Sequence, residues 1–116
     1  MISLGGSSRQ SLAALRVALD NALKGASSSD CSRLSQELFG ALGALESSVG
    51  LRRALTDPAR DAASKSALVS DLFKSALKGA SLELVTTAAT LRWSAPGDLA
   101  DAVERSEEHT SELQSH

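Results

Sequence analysis

Apolar residues recur along this chain in steps of three and four, and serines, glycines and prolines punctuate the runs. Leu12, Leu15, Leu19, Ala22 and Leu23 fall on one face of a helix. Ser7-Ser8-Arg9-Gln10 ahead of them fits a capping box, and Lys24-Gly25 behind them ends the segment. Ser27-Ser28-Ser29-Asp30 offers several N-caps for a second helix carrying Cys31, Leu34, Leu38, Leu42, Leu45 and Val49. Gly40 and Gly43 weaken that helix unless a neighbour approaches closely, and Gly50 breaks its pattern. Leu51 to Leu55 form one or two further turns. Asp57-Pro58 reads as a restart, with a capping carboxylate and proline at the first helical position. Leu68, Val69, Leu72, Phe73, Ala76 and Leu77 make the next stripe, closed by Lys78-Gly79. Ser81 caps a fifth helix, Leu82 to Arg92. Ser94-Ala95-Pro96-Gly97 opens a sixth, with Leu99, Ala102 and Val103. The expectation is an all-α bundle of about six helices. The hexapeptide Ala22–Ser27 recurs at Ala76–Ser81, which suggests shared helix-end chemistry more than a duplication.

Composition supports packed helices. Hydrophobic residues make up 42% of the 116, but aromatics only 3%, so the core must be built from Leu, Val and Ala. No apolar run is long enough to cross a bilayer, so no direct membrane insertion is expected. Met1-Ile2-Ser3-Leu4-Gly5-Gly6 lacks the pattern of a secretory signal.

The last twelve residues stand apart. Arg105-Ser106-Glu107-Glu108-His109-Thr110-Ser111-Glu112-Leu113-Gln114-Ser115-His116 is similar, residue for residue, to the translation of a widely used sequencing adapter. Residues 1–104 are therefore expected to be the helical domain. Residues 105–116 are expected to be a non-native, disordered tail that packs against nothing, and the native frame is expected to continue past Glu104. Without them, 12 Lys and Arg lose Arg105 and 14 Asp and Glu lose Glu107, Glu108 and Glu112, leaving 11 of each. That neutrality gives no electrostatic motive for a nucleic-acid partner.

Little else in residues 1–104 promises chemistry. They contain no histidine, and so neither the commonest general base nor the commonest metal ligand. Cys31 has no histidine to activate it and lies on an apolar stripe, where a buried, slow-reacting thiol is expected. No phosphate-binding glycine motif and no nucleophile elbow are present. Asp57/Asp61 and Asp98/Asp101 sit in helix first turns, where they oppose the macrodipole. Arg52-Arg53 with Arg60 and Lys65 reads first as a solvated basic face, and Trp93 as a wedge into the core. No catalytic residue, cofactor or metal site is expected. Three readings stay open: a non-catalytic helical binding domain of a larger assembly, an unrelated helical adaptor for a partner peptide, and a fragment of an enzyme whose catalytic residues lie beyond Glu104.

A resemblance favours the first. Leu51-Arg52-Arg53-Ala54-Leu55-Thr56-Asp57-Pro58-Ala59 is similar to a segment of the delta subunit of F-type ATP synthases, especially the form of high-GC bacteria, a family related to the oligomycin-sensitivity-conferring protein. Ser8 to Ala13 resembles the start of that form, and Arg92-Trp93-Ser94 with Asp98 to Glu104 resembles its sixth helix. The resemblance implies the six-helix N-terminal domain of a non-catalytic stator subunit. That domain holds the N-terminal helix of an alpha subunit so that the catalytic head does not turn with the rotor. It also implies a place on the cytoplasmic face of the cell membrane, as a peripheral part of the complex. Contact with the b subunit would run through a C-terminal domain this chain lacks.

Two helices carry more apolar surface than one core requires. The fifth has Leu82, Val85 and Ala89 on one stripe and Leu84, Ala88 and Leu91 on another; the first has Ala14, Ala18 and Ala22 beside its leucines. Ala14, Ala18, Ala22, Leu84, Ala88 and Leu91 are therefore the expected floor of a partner-binding groove, and the resemblance implies the same pair of helices. The competing reading buries both extra stripes under neighbouring helices.

Overall fold

The computed structural model describes residues 6–114. It has six helices, α1 (Gly6–Leu23), α2 (Ser28–Ser47), α3 (Val49–Thr56), α4 (Ala62–Phe73), α5 (Ala80–Thr90) and α6 (Pro96–Gln114), and no strand among the described residues. The all-α expectation holds. The radius of gyration is 13.3 Å.

Most helix ends are set by local chemistry. Ser27 caps α2: its hydroxyl accepts from the Asp30 amide at 3.1 Å while the Asp30 carboxylate accepts from the Ser27 amide at 3.3 Å, a complete capping box. The break between α2 and α3 falls at Ser48, not Gly50, because the Ser48 hydroxyl accepts from the Leu51 amide at 3.1 Å and starts α3. Arg52 reaches back to the carbonyls of Leu45 and of Glu46, the latter at 2.8 Å, and so closes the end of α2.

Three expected starts move. Gly6 already belongs to α1, so Ser7 lies inside that helix rather than capping it. Asp57-Pro58 builds a turn, with Asp57 accepting from the Ala59 amide at 2.9 Å. The cap of α4 is Asp61, which accepts from the Ser64 amide at 2.7 Å. Ser81 lies inside α5, whose N-cap is Gly79 at φ +59°, ψ −122°, a conformation that suits glycine alone. The repeated hexapeptide thus serves two purposes. Gly25, at φ +74°, follows the end of α1, whereas Gly79 precedes α5, since α4 stops at Phe73.

The core runs through every helix: Leu15 and Leu19 of α1, Leu34, Leu38 and Leu45 of α2, Leu55 of α3, Val69 and Phe73 of α4, Leu84 and Val85 of α5, Leu99 and Val103 of α6. Each buried Leu or Val contributes about 1.5–3 kcal/mol over exposure. Trp93 is buried as expected, and its indole N–H donates to the Ala88 carbonyl at 2.7 Å. The broadest helix pairing is α2 on α6, and α4 packs chiefly on α5. The start of α1 is pinned to the α5–α6 connection. Ser8 donates to Asp98 at 2.6 Å and accepts from the Ser94 amide at 2.7 Å, and Ser11 donates to the Arg92 carbonyl.

Residues 105–114 do not form the unpacked tail expected of them: they continue α6. Ser106 and Thr110 are buried, and each hydroxyl donates to the carbonyl four residues earlier, at 3.0 and 2.8 Å. Asp101 pairs with Arg105 at 2.9 Å, and Ser35 of α2 donates to Glu107 at 2.9 Å. Small hydroxyl side chains that satisfy themselves within the helix let the backbone of α6 run on against α2 without an apolar stripe. Ser115 and His116 lie outside the described residues, as do Met1 to Gly5.

Candidate partner-binding groove

A groove of about 350 Å³ runs between α1 and α5, lined by Ala18, Asn21, Ala22, Ala80, Glu83, Leu84 and Thr87. On α5, positions 80, 83, 84 and 87 follow the three-and-four spacing of a single face. Ala18 and Ala22 stand one turn apart on α1. The alanines keep the floor low, Leu84 forms its buried centre, and Asn21, Glu83 and Thr87 supply a polar rim. Through Ala22 and Ala80 this groove joins a wider basin of about 330 Å³ edged by charged residues that include Lys24, Asp30, Arg33, Glu37 and Lys78. At the basin's wall, Ser81 donates to Glu37, which also accepts from the Lys78 amide at 3.0 Å.

Three of the six expected floor residues, Ala18, Ala22 and Leu84, come together here. Ala14 is exposed and lies outside the lining. Ala88 is fully buried within the core, where Trp93 bonds its carbonyl, so its stripe is covered by neighbouring helices. Leu91 faces a different hollow, with Thr56, Lys65 and Trp93. Asn21, Glu83 and Thr87 are not visible to apolar counting, because a rim must be polar where it meets water, and Ala80 lies just before the apolar run that marks α5 in the sequence. The spacing 80-83-84-87 was the available signal.

A second groove, about 400 Å³, lies between α1 and α6, lined by Arg9, Leu12, Ala13, Arg16, Leu19, Arg105 and Ser106. Its wall on α6 consists of residues from the segment expected to be a tail.

Catalytic groupings do not assemble. Among the described residues, no cluster of three or more His, Cys, Asp or Glu could hold a metal ion. Cys31 is half-buried at the first turn of α2 rather than deep in the core. His109 lies 3.1 Å from Arg16 and 3.8 Å from Asp20, at the surface of α1. No helix among the described residues is long and apolar enough to cross a membrane.

Fold and groove together define an all-α bundle with a shallow, alanine-floored cleft between α1 and α5. The chain is 45% identical over 101 residues to the ATP synthase subunit delta of Arthrobacter sp. FB24, covering 87% of this chain and 35% of that protein. It is 43% identical over 100 residues to the subunit delta of Kineococcus radiotolerans, covering 86% and 36% respectively. With that of Streptomyces avermitilis the identity is 44% over 99 residues, covering 85% and 36%. The chain is similar to these ATP synthase delta subunits, and it spans about a third of their length. No family model matches it.

Proposed function

We propose that this chain is a stator domain of an F-type ATP synthase, a non-catalytic part that holds the N-terminal helix of an alpha subunit in the α1–α5 groove. The observation that carries this reading is the juxtaposition of Ala18 and Ala22 with the 80-83-84-87 face of α5 in a chain whose relatives are delta subunits. An amphipathic helix laid in the groove would set its apolar stripe on Leu84 and the alanines, with its polar edges beside Asn21, Glu83 and Thr87. The charged basin beyond Ala22 would take the ligand's end. Such a grip opposes torque from the rotor without any bond being made or broken. On this reading the chain works as a peripheral component on the cytoplasmic face of the cell membrane. On the same reading, contact with the b subunit is made by another part of the delta subunit. Residues 1–104 carry the function and 105–116 carry none.

Substitution separates groove from core. Thr87→Arg and Ala18→Arg put bulk into the cleft at half-buried positions, and Glu83 one turn before Thr87 accommodates the new charge. Both variants should keep the wild-type helical circular dichroism and lose binding of the alpha N-terminal peptide by about tenfold or more. Ala88→Asp should instead unfold the bundle, because an unpaired charge in the core costs about 3–5 kcal/mol. Folded Thr87→Arg and Ala18→Arg proteins that bind the peptide like the wild type would overturn the groove assignment.

A further inference from the structure

A third hollow lies on the face formed by the α3–α4 turn and the C-terminal end of α5, and shares no residue with the α1–α5 groove. It measures about 150 Å³, and its lining includes Arg60, Lys65 and Arg92 but no acidic residue. Lys65 is the unusual member. It is only 6% exposed, with its stem covered and its ammonium head in reach of water. No carboxylate meets that head: among the described residues Lys65 has no hydrogen bond or ion pair from its side chain, and neither has Arg92. Arg60 reaches only the Ser64 hydroxyl, at 3.4 Å. Asp57 accepts from the Ala59 amide and Asp61 from the Ser64 amide, and neither carboxylate forms an ion pair with a lining cation. Thr56 and Thr90 also line the hollow, but their hydroxyl hydrogens already go to the carbonyls of Arg52 and Thr87.

We propose that this hollow binds a small tetrahedral oxyanion of the phosphate class, with Lys65 at its base and Arg60 and Arg92 closing over it. Three cations that form no ion pair, in a concavity with no acidic residue in its lining, leave a positive potential that a dianion neutralises. Guanidinium groups match the oxygen geometry of phosphate in pairs, and the ammonium supplies a point charge beneath. The size selects the ligand. At about 150 Å³ the hollow is well below the roughly 300–1,000 Å³ of pockets that enclose drug-sized molecules, so an inorganic anion fits and a nucleotide does not. Bound there, the anion would tie the α3–α4 turn to the C-terminal end of α5.

Titration of the 116-residue chain with inorganic phosphate, followed by amide chemical shifts and calorimetry at constant ionic strength against chloride, tests this. The expected result is saturable binding with shifts centred on residues 56–65 and 90–93. Sulfate should compete and chloride should not. Lys65→Met keeps the buried stem and removes the charge; Arg92→Gln alters an exposed position and leaves Lys65 intact. Each should weaken phosphate by about tenfold or more, since each removes one of the charge-assisted contacts that hold the anion. Phosphate shifts that chloride reproduces at equal ionic strength would overturn the site. So would undiminished affinity in both folded variants.

Discussion

Gly40 and Gly43 sit in the middle of α2 with exposed faces, and a Cβ added at either would meet nothing within 4 Å. A close helix approach is the usual return on an interior glycine, and neither position has one. Gly40→Ala and Gly43→Ala should therefore each stabilise the protein by about 0.5–1 kcal/mol, read from urea midpoints at constant m-value. Destabilisation by either would mean that a neighbour is closer than the structure places it. At this same scale the reading of single residues divides by depth. Leu15, Leu38, Leu45 and Val103 were assigned to the core from spacing alone and are buried. Leu72 lay on the same kind of stripe and is 52% exposed, because α4 packs chiefly on α5 and its far side has no partner. Periodicity reports which residues share a face, not how much of that face a neighbour covers. Ala88 and Ala14 went astray for that reason: each belongs to a real stripe, but one is sealed and the other open.

Among the elements, all six helices were legible, and most misplacements concern ends. Asp57-Pro58 carries a strong initiation signal, but a second carboxylate four residues on, Asp61, takes the cap and leaves the first to make a turn. Ser81 looks like a cap by type; its hydroxyl instead bonds Glu37 of α2, a tertiary partner that no local pattern displays. The far end of α6 is the largest departure. Residues 105–114 lack an apolar stripe, yet helix propensity, the Asp101–Arg105 pair and the Ser35–Glu107 bond carry the helix onward. What holds this segment is polar. Truncation after Glu104 removes the Ser35–Glu107 bond and the burial of two small hydroxyl residues, while Leu99 and Val103 remain. The loss should be about 1–2 kcal/mol in denaturant unfolding, with the remaining helices intact. A change under about 0.5 kcal/mol would restore the tail that the sequence suggests. A loss of cooperative folding would show that α6 is indivisible.

The described residues form a six-helix bundle with an alanine-floored cleft between the first and fifth helices and a wider one between the first and sixth. Only the former is built entirely from residues before Arg105. The stator reading needs a helix to lie in that cleft and nowhere else. The direct test is an amide chemical-shift map of the 116-residue chain titrated with a synthetic N-terminal peptide of an ATP synthase alpha subunit, taken from an organism such as Arthrobacter sp. FB24. The prediction is a saturable set of shifts on Ala18, Asn21, Ala22, Ala80, Glu83 and Thr87, continuing toward Lys24 and Lys78, and absent in Thr87→Arg. Shifts centred on Leu12, Ala13 and Arg16 of the α1–α6 cleft, or no shifts at millimolar peptide, would contradict the account.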